Sequence, residues 1–262
     1  MSLDFAPFAD IPVWAVVCVF AAHFLGFFIR GAFGFGSNMP IVLLTTWLLG
    51  PHHAILLVVF TATAAQVHLF PQGFGTADWK VTRPLILGMF AGVAIGTWLF
   101  TILAADWLTL VMGILITVVV VMDRLRLLER LTRYIDIRAR AVTSSLAIIS
   151  GAVGTVSGGG GLYFLVVYLK LACKTAASLR GTNLILSGIS ILVRVALLVP
   201  TGFITLPLLI EAALLTPIVL LGTWTGTRVF HKMEARRFYD ALQLLLLFAA
   251  MALMARGVIK VI

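Results

Sequence analysis

Apolar residues fall into ten runs along this chain, separated by short polar or glycine-rich stretches. Most of the runs approach the length of ~20 residues that a helix needs to cross a bilayer core, and two are about half as long. The runs cover residues 13–29, 40–49, 54–70, 84–103, 107–122, 141–156, 162–171, 175–199, 207–229 and 241–255. This pattern predicts an all-α polytopic membrane protein with about eight membrane segments.

Two of the interruptions between apolar runs are rich in glycine and resemble each other. Residues 31–38 read GAFGFGSN, and residues 151–158 read GAVGTVSG and continue into three further glycines. Glycine weakens a helix and lets the backbone unwind. Irregular backbone at membrane depth persists only where it is buried in protein or lines a cavity. A matched pair of such breaks in two halves of a chain is typical of a transporter's substrate site.

Further matches follow in the same order along the two halves. The pair Gly73-Phe74 matches Gly202-Phe203, and the glycines of 92–97 match those of 222–227. These matches predict an internal duplication. Residues 1–122 form the first membrane repeat, 123–140 a basic cytoplasmic loop, and 141–262 the second repeat.

Charge then predicts the orientation of the two repeats. The loop 123–140 carries six arginines, and basic loops mark the cytoplasmic side. If each glycine break is the tip of a hairpin that returns to its own side, each half has one hairpin and three crossings. The repeats are then inverted, with 72–80 in the cytoplasm and 199–206 outside. A parallel arrangement with eight full crossings fits the basic residues less cleanly.

Composition removes two broad classes of protein. With 61% hydrophobic and 11% charged residues, the chain is not a soluble globular domain. The net charge of +9 does not indicate nucleic-acid binding, because the basic residues lie in short loops between apolar runs.

The second glycine motif resembles the signature of a known family. Residues 151–162 read GAVGTVSGGGGL and are followed by an apolar run and by CKTAASL at 173–179. This pattern is similar to the second-half signature of the sulfite exporter family TauE/SafE, and the first half repeats it in degenerate form. The first copy departs from the family pattern, with Asn38-Met39-Pro40 where two or three glycines often stand. The resemblance implies eight membrane helices formed by duplication, and transport of small sulfur-containing or carboxylate anions, often outward, across a bacterial inner membrane.

An anion site at mid-membrane needs N–H donors and hydroxyls, to which a fixed positive charge can be added. The two breaks can supply these groups, so we expect the anion to bind between them. A half-helix that begins after a break directs its free N–H groups and the positive end of its dipole at the break. The expected substrate-binding residues are Gly36, Ser37, Asn38, Ser157, Gly158, Gly159, Gly160, Asn183, Thr61, Gln66 and Arg30. The alternative is that the glycines serve close helix packing, the serines bond back to the preceding turn, and the other polar residues join helices.

Three charged residues stand in or beside apolar runs. Arg30 either faces a wet cavity or reaches outward to the interface, because a bare arginine in hydrocarbon is costly. Arg194 and Glu211 lie symmetrically about the Gly202-Phe203 turn, so the sequence predicts an ion pair between them or a proton-coupling pair.

No enzyme is predicted. The chain has no HExxH motif, no serine in a nucleophile elbow, and no lysine after the glycines of a nucleotide-binding loop. An anion channel or a membrane scaffold subunit is the alternative to a transporter. No cofactor or metal is expected. The expected partners are a small anion and the lipid bilayer, with protons considered as coupling ion and a homodimer considered as the assembly.

Overall fold

A computed structural model of the protein describes residues 7–9, 11–34, 38–125, 127, 130, 139–158, 162–229 and 235–261. All regular structure in these ranges is helical. The α-helices are α1 (Val13–Phe33), α2 (Asn38–Leu49), α3 (Pro51–Phe74), α4 (Trp79–Ile102), α5 (Ala105–Arg124), α6 (Arg140–Val156), α7 (Leu162–Ala172), α8 (Ala176–Leu198), α9 (Leu206–Val229) and α10 (Ala235–Val261). A 3₁₀ turn at Val199–Thr201 follows α8.

Six helices in the described part of the chain are long and apolar enough to cross a bilayer, namely α1, α3, α4, α5, α8 and α9. The 12 residues of α2 and the 11 of α7 are too few for that. At 1.5 Å per residue these helices are about 18 and 16 Å long, roughly half of the hydrocarbon core. The protein is therefore an all-helical polytopic membrane protein, as the sequence predicts. The prediction of about eight segments goes beyond these six.

The helices that precede the two breaks extend further than the glycine pattern suggests. Helix α1 continues through Gly31 to Phe33, and α6 continues through Gly151 to Val156. The chain leaves α1 at Gly34, whose φ of 79° lies in the left-handed region that favours glycine. The first glycine of each motif is thus a helix residue, and packing accounts for it.

Glycines allow α1 and α9 to cross at backbone contact. A Cβ on Gly222 would lie 2.6 Å from the carbonyl oxygen of Phe24, and one on Gly226 would overlap the carbonyl oxygen of Phe28. A Cβ on Gly31 would likewise overlap the backbone of α9. The residue numbers of the contacting positions increase in the same direction along both helices, so α1 and α9 run parallel. Small residues at such crossings let membrane helices gain van der Waals contact.

Helices α4 and α6 form a second crossing of the same kind. A Cβ on Gly96 would lie 2.7 Å from the carbonyl oxygen of Ala152, and one on Gly92 would overlap that of Ile148. From the other side, a Cβ on Gly151 would meet the backbone of α4. The residue numbers of the contacting positions again increase in the same direction, so α4 and α6 run parallel.

Two other pairs of packed helices run antiparallel. In the pair α3 and α8, Gly73 faces Ile185 while Gly188 faces Phe70. In the pair α5 and α10, residue Gly113 faces Met254 and Gly257 faces Leu110. Helix α3 is the most enclosed of the candidate spans, with 61% of its apolar window buried. It therefore lies at the centre of the fold, in contact with α8, α9 and α2.

Candidate functional site

Arg30 lies in the last turn of α1 and is 4% exposed. Its Nη2 atom donates to Gln66 Oε1 on α3 at 2.8 Å and to Ser187 Oγ on α8 at 3.2 Å. Its Nη1 atom donates to Asn38 Oδ1, at the start of α2, over a longer 3.4 Å. Helices α1, α2, α3 and α8 therefore meet at one guanidinium.

The acceptors around Arg30 are held in orientation by their own hydrogen bonds. Gln66 donates its Nε2 to the carbonyl oxygen of Leu184 at 2.8 Å, which leaves its Oε1 for the arginine. The hydroxyl of Ser187 donates to the same carbonyl at 3.1 Å, so its oxygen accepts. Both partners are neutral, so they satisfy N–H groups of Arg30 without cancelling its charge.

Two side chains of α8 hold the end of α1. Asn183 Nδ2 donates to the carbonyl oxygen of Gly34 at 2.8 Å, and Arg180 Nη2 donates to that of Gly31 at 3.1 Å. These carbonyls lack helix partners because α1 ends here, and they form the negative end of its dipole. A Cβ on Gly34 would lie 2.7 Å from Cγ of Arg180, so this glycine is required by contact as well as by its φ.

The charge of Arg30 is not balanced by a carboxylate among the described residues. Its Nε atom and the Oδ1 atom of Asn183 are buried and have no hydrogen-bond partner there. An arginine at the centre of a membrane helix costs about 2.5–3.5 kcal/mol on insertion scales, and buried charges are normally paired. The arrangement has positive charge, a spare N–H and oriented amides, which suits a small anion.

The expected site residues separate into three groups. Arg30, Asn38, Gln66 and Asn183 come together at the first break. Gly36, Ser37, Gly159 and Gly160 lie outside the described residues. The others, which include Thr61, do not join the contacts around Arg30. The hydroxyl of Thr61 donates to the carbonyl of Leu57 in its own helix at 2.8 Å.

The second break is surrounded differently from the first. The hydroxyl of Ser157 donates to the carbonyl of Val153 one turn earlier, at 2.6 Å. Gly158 has a φ of 74°, and a Cβ there would lie 2.6 Å from Val42 and 3.3 Å from Ile55. Apolar side chains of α2 and α3 therefore face this glycine.

The predicted ion pair between Arg194 and Glu211 is not formed, and this prediction was wrong. Glu211 Oε2 lies 2.5 Å from His53 Nε2, and its Oε1 accepts from the backbone N–H of Phe8 at 3.0 Å. Arg194 instead places its guanidinium 5.4 Å from the centre of the Phe100 ring. Symmetric placement about a turn does not fix which way each helix faces. Arg194 faces α4, and Glu211 faces the start of α3.

Three residues of these clusters were not predicted to act there. Ser187 lies one turn beyond Asn183 on α8, so the helical period could have indicated it. Arg180 directly follows the CKTAASL segment of 173–179, near the start of α8. His53 follows Gly50-Pro51, which begins α3, and no local pattern distinguishes it from His52.

The family model for the sulfite exporter TauE/SafE matches residues 18–253. No curated protein matches the chain. No solved structure matches it either. The match covers most of the chain, so this protein belongs to the sulfite exporter TauE/SafE family. It is accordingly a multi-pass membrane transporter of the inner membrane, and not an enzyme.

Proposed function

We propose that this member of the TauE/SafE family exports small sulfur-containing or carboxylate anions, and that the anion binds beside Arg30 at the first helix break. The observation that carries the proposal is a buried arginine with neutral partners and a spare Nε–H. Such a group can accept a mobile anion without first losing a fixed carboxylate. The nearby start of α2 adds the positive end of a helix dipole.

We further propose that the two halves are inverted repeats, with α1–α5 equivalent to α6–α10. In each half a helix is followed by a short helix and then by three long ones. The proposed equivalents α3 and α8 pack antiparallel, as do α5 and α10. A two-fold axis in the membrane plane makes equivalent helices antiparallel, whereas an axis along the membrane normal makes them parallel.

Under this pairing, the parallel crossing of α1 with α9 in one part of the fold is equivalent to the parallel crossing of α6 with α4. Hairpins α1–α2 and α6–α7, counted as one segment each, bring the total to eight.

Single-cysteine labelling in intact cells tests this arrangement, in a chain whose Cys18 and Cys173 are replaced by serine. Gly75→Cys lies in the α3–α4 turn, where no atom is within 4 Å of an added Cβ. Thr201→Cys lies in the turn between α8 and α9. An impermeant thiol reagent should label the second and spare the first until the cells are opened. Labelling of both from outside contradicts inverted repeats and favours eight full crossings.

Transport in proteoliposomes tests the proposed activity. Vesicles are loaded in turn with labelled sulfite, thiosulfate, sulfoacetate, taurine and small carboxylates, and efflux is followed with Arg30→Gln as the paired variant. At least one anion should leave faster than from protein-free vesicles, and Arg30→Gln should remove the difference. Equal rates for all of these anions with and without the protein contradict the proposal.

Counterflow in the same vesicles separates a carrier from an anion channel, because only a carrier exchanges label against a gradient. A scaffold subunit shows neither efflux nor counterflow. A pH gradient imposed on these vesicles should drive counterflow if protons are coupled.

A further inference from the structure

One face of α8 carries a row of polar residues that continues past Arg30. Asn183, Ser187, Ser190 and Arg194 are four, three and four residues apart. At 100° per residue they lie within about 60° of each other around the helix. Asn183, Ser187 and Arg194 are buried, so this polar stripe faces protein and not lipid. Ser187 already touches Arg30.

Arg194 stands at the far end of this stripe and is 5% exposed. Its guanidinium lies over the Phe100 ring, 5.4 Å from the centroid. Its Nε and Nη2 atoms are buried and have no hydrogen-bond partner in the described part of the chain. Glu211, the acid predicted to pair with it, is held by His53 and by the Phe8 N–H.

The two unpartnered atoms are the ones that bind oxyanions best. Nε–H and Nη2–H point in the same direction along one edge of a guanidinium, and this fork matches two oxygens of a carboxylate or oxyanion. In Arg30 the same edge is partly occupied, because Nη2 donates to Gln66 and Ser187. In Arg194 both donors of the edge are unused while the ring of Phe100 stabilises the cation.

Seven residues separate Ser187 from Arg194, which is about 10.5 Å along the helix axis. That separation is too large for one small oxyanion to touch both ends of the stripe. An anion at Arg194 would therefore be separate from one at Arg30.

We propose that Arg194 forms a second anion-binding site, which holds a small oxyanion bidentately between the Arg30 site and the outer surface. This inference rests on the proposed function, since it gives the exported anion a further site on its path. Ser187 and Ser190 line the way between the two sites.

Equilibrium binding of ³⁵S-sulfite to the purified chain tests the second site. The unaltered protein should bind two anions per chain, and Arg194→Gln and Arg30→Gln should each bind one. The matched control is Arg256→Gln, because Arg256 also lies over an aromatic ring, at 4.6 Å from that of Trp47, but is only partly buried. The control should bind two anions.

Arg194→Lys covers the case in which Arg194→Gln does not fold. It keeps the cation and removes the fork, so affinity at the outer site should fall about tenfold, or about 1.4 kcal/mol. Ser190→Cys, in the chain without native cysteines, gives an independent reading. Sulfite should protect this thiol from alkylation, the protection should persist with Arg30→Gln, and it should need about tenfold more sulfite with Arg194→Lys.

The outcomes separate the two proposals. One anion per chain, lost with Arg30→Gln and unaffected by Arg194→Gln or Arg194→Lys, overturns the second site and leaves the proposed function standing. Protection of Ser190→Cys that disappears with Arg30→Gln also overturns it. Absence of binding in every protein, the unaltered chain included, when the measurement is repeated with each anion of the efflux series, removes the basis of both.

Discussion

The two helix breaks share a backbone conformation and differ in what surrounds them. Gly34 and Gly158 both have φ near 75°, at 79° and 74°. The first is held by the amide of Asn183 and lies beside Arg180, whereas the second faces Val42 and Ile55. Two turns of similar backbone conformation therefore carry unequal chemistry. Among the residues that the structure describes, the polar groups suited to an anion are concentrated at the first break.

Under the proposed equivalence of the two halves, the helix contacts give a different alignment from the sequence motifs. Gly222 and Gly226 meet Phe24 and Phe28, and Gly92 and Gly96 meet Ile148 and Ala152. Taking the glycine pairs as equivalent sets an offset of 124 between α1 and α6, which also pairs Gly34 with Gly158. The motif alignment used 120. Four residues are about one helical turn, so the alignment slipped while keeping the same helix face.

Replacing Arg30 should give the largest difference between the breaks. Arg30→Gln removes the buried cation, and efflux should fall about 100-fold, since about 3 kcal/mol is a reasonable loss for a charged group bound to an anion. Arg30→Lys should recover little, because a lysine cannot reach Gln66, Ser187 and Asn38 together. The measurement is initial efflux at equal protein in vesicles. Arg228→Gln, on an exposed residue, is the control. Normal efflux by Arg30→Gln contradicts a site at the first break.

The two parallel helix crossings, α1 with α9 and α4 with α6, should lose stability to a similar extent when a glycine is replaced, in contrast to the two breaks. Gly226→Leu and Gly92→Leu each force a side chain into a facing backbone, and overpacking of this kind costs about 1–3 kcal/mol or more. Both should lower the yield of monodisperse protein from membranes by about tenfold. Gly75→Ala is the control, because nothing lies within 4 Å of its added Cβ. A strong loss for one crossing with none for the other argues against their equivalence.

Asn183→Leu should reduce transport by about tenfold. It leaves the Gly34 carbonyl without its side-chain donor, and an unsatisfied buried acceptor costs about 1–3 kcal/mol. The end of α1 should then hold Arg30 less firmly, which raises the KM for efflux more than it lowers membrane yield. Yield and KM are measured on the same preparation. A drop in yield with unchanged KM assigns Asn183 to folding alone.

The helical membrane fold and family membership were predictable because hydropathy and glycine spacing are local properties of the chain. The helix bounds near the breaks were not. Gly31 and Gly151 continue their helices because α9 and α4 pack on them, and a single sequence does not display that contact. The same glycine spacing is compatible with a helix break and with a close helix crossing, so it does not distinguish the two.

At the candidate site, sequence reasoning found the residues that polar character marks within apolar runs. Arg30, Gln66 and Asn183 are of this kind. Partners depend on helix rotation, so the same reasoning paired Glu211 with Arg194 when the acid lies beside His53. It also gave Ser157, at the second break, a role equal to that of the residues at the first break, because the two motifs have similar sequences.

Ser157→Ala should have the smallest effect, less than about twofold on KM. The hydroxyl donates back to the Val153 carbonyl, and the Ser157 backbone N–H donates to the same oxygen at 2.9 Å. Loss of the hydroxyl therefore leaves that carbonyl satisfied, and serine back-bonding adds little to helix stability.

If the hydroxyl instead contacts the anion, its loss should weaken affinity about tenfold, since a hydrogen bond to a charged group contributes about 1.5–3 kcal/mol. The KM of efflux, compared with that of Asn183→Leu in vesicles of the same batch, decides between them. A tenfold rise for Ser157→Ala would make the two breaks equal partners in binding and remove the asymmetry drawn from their surroundings.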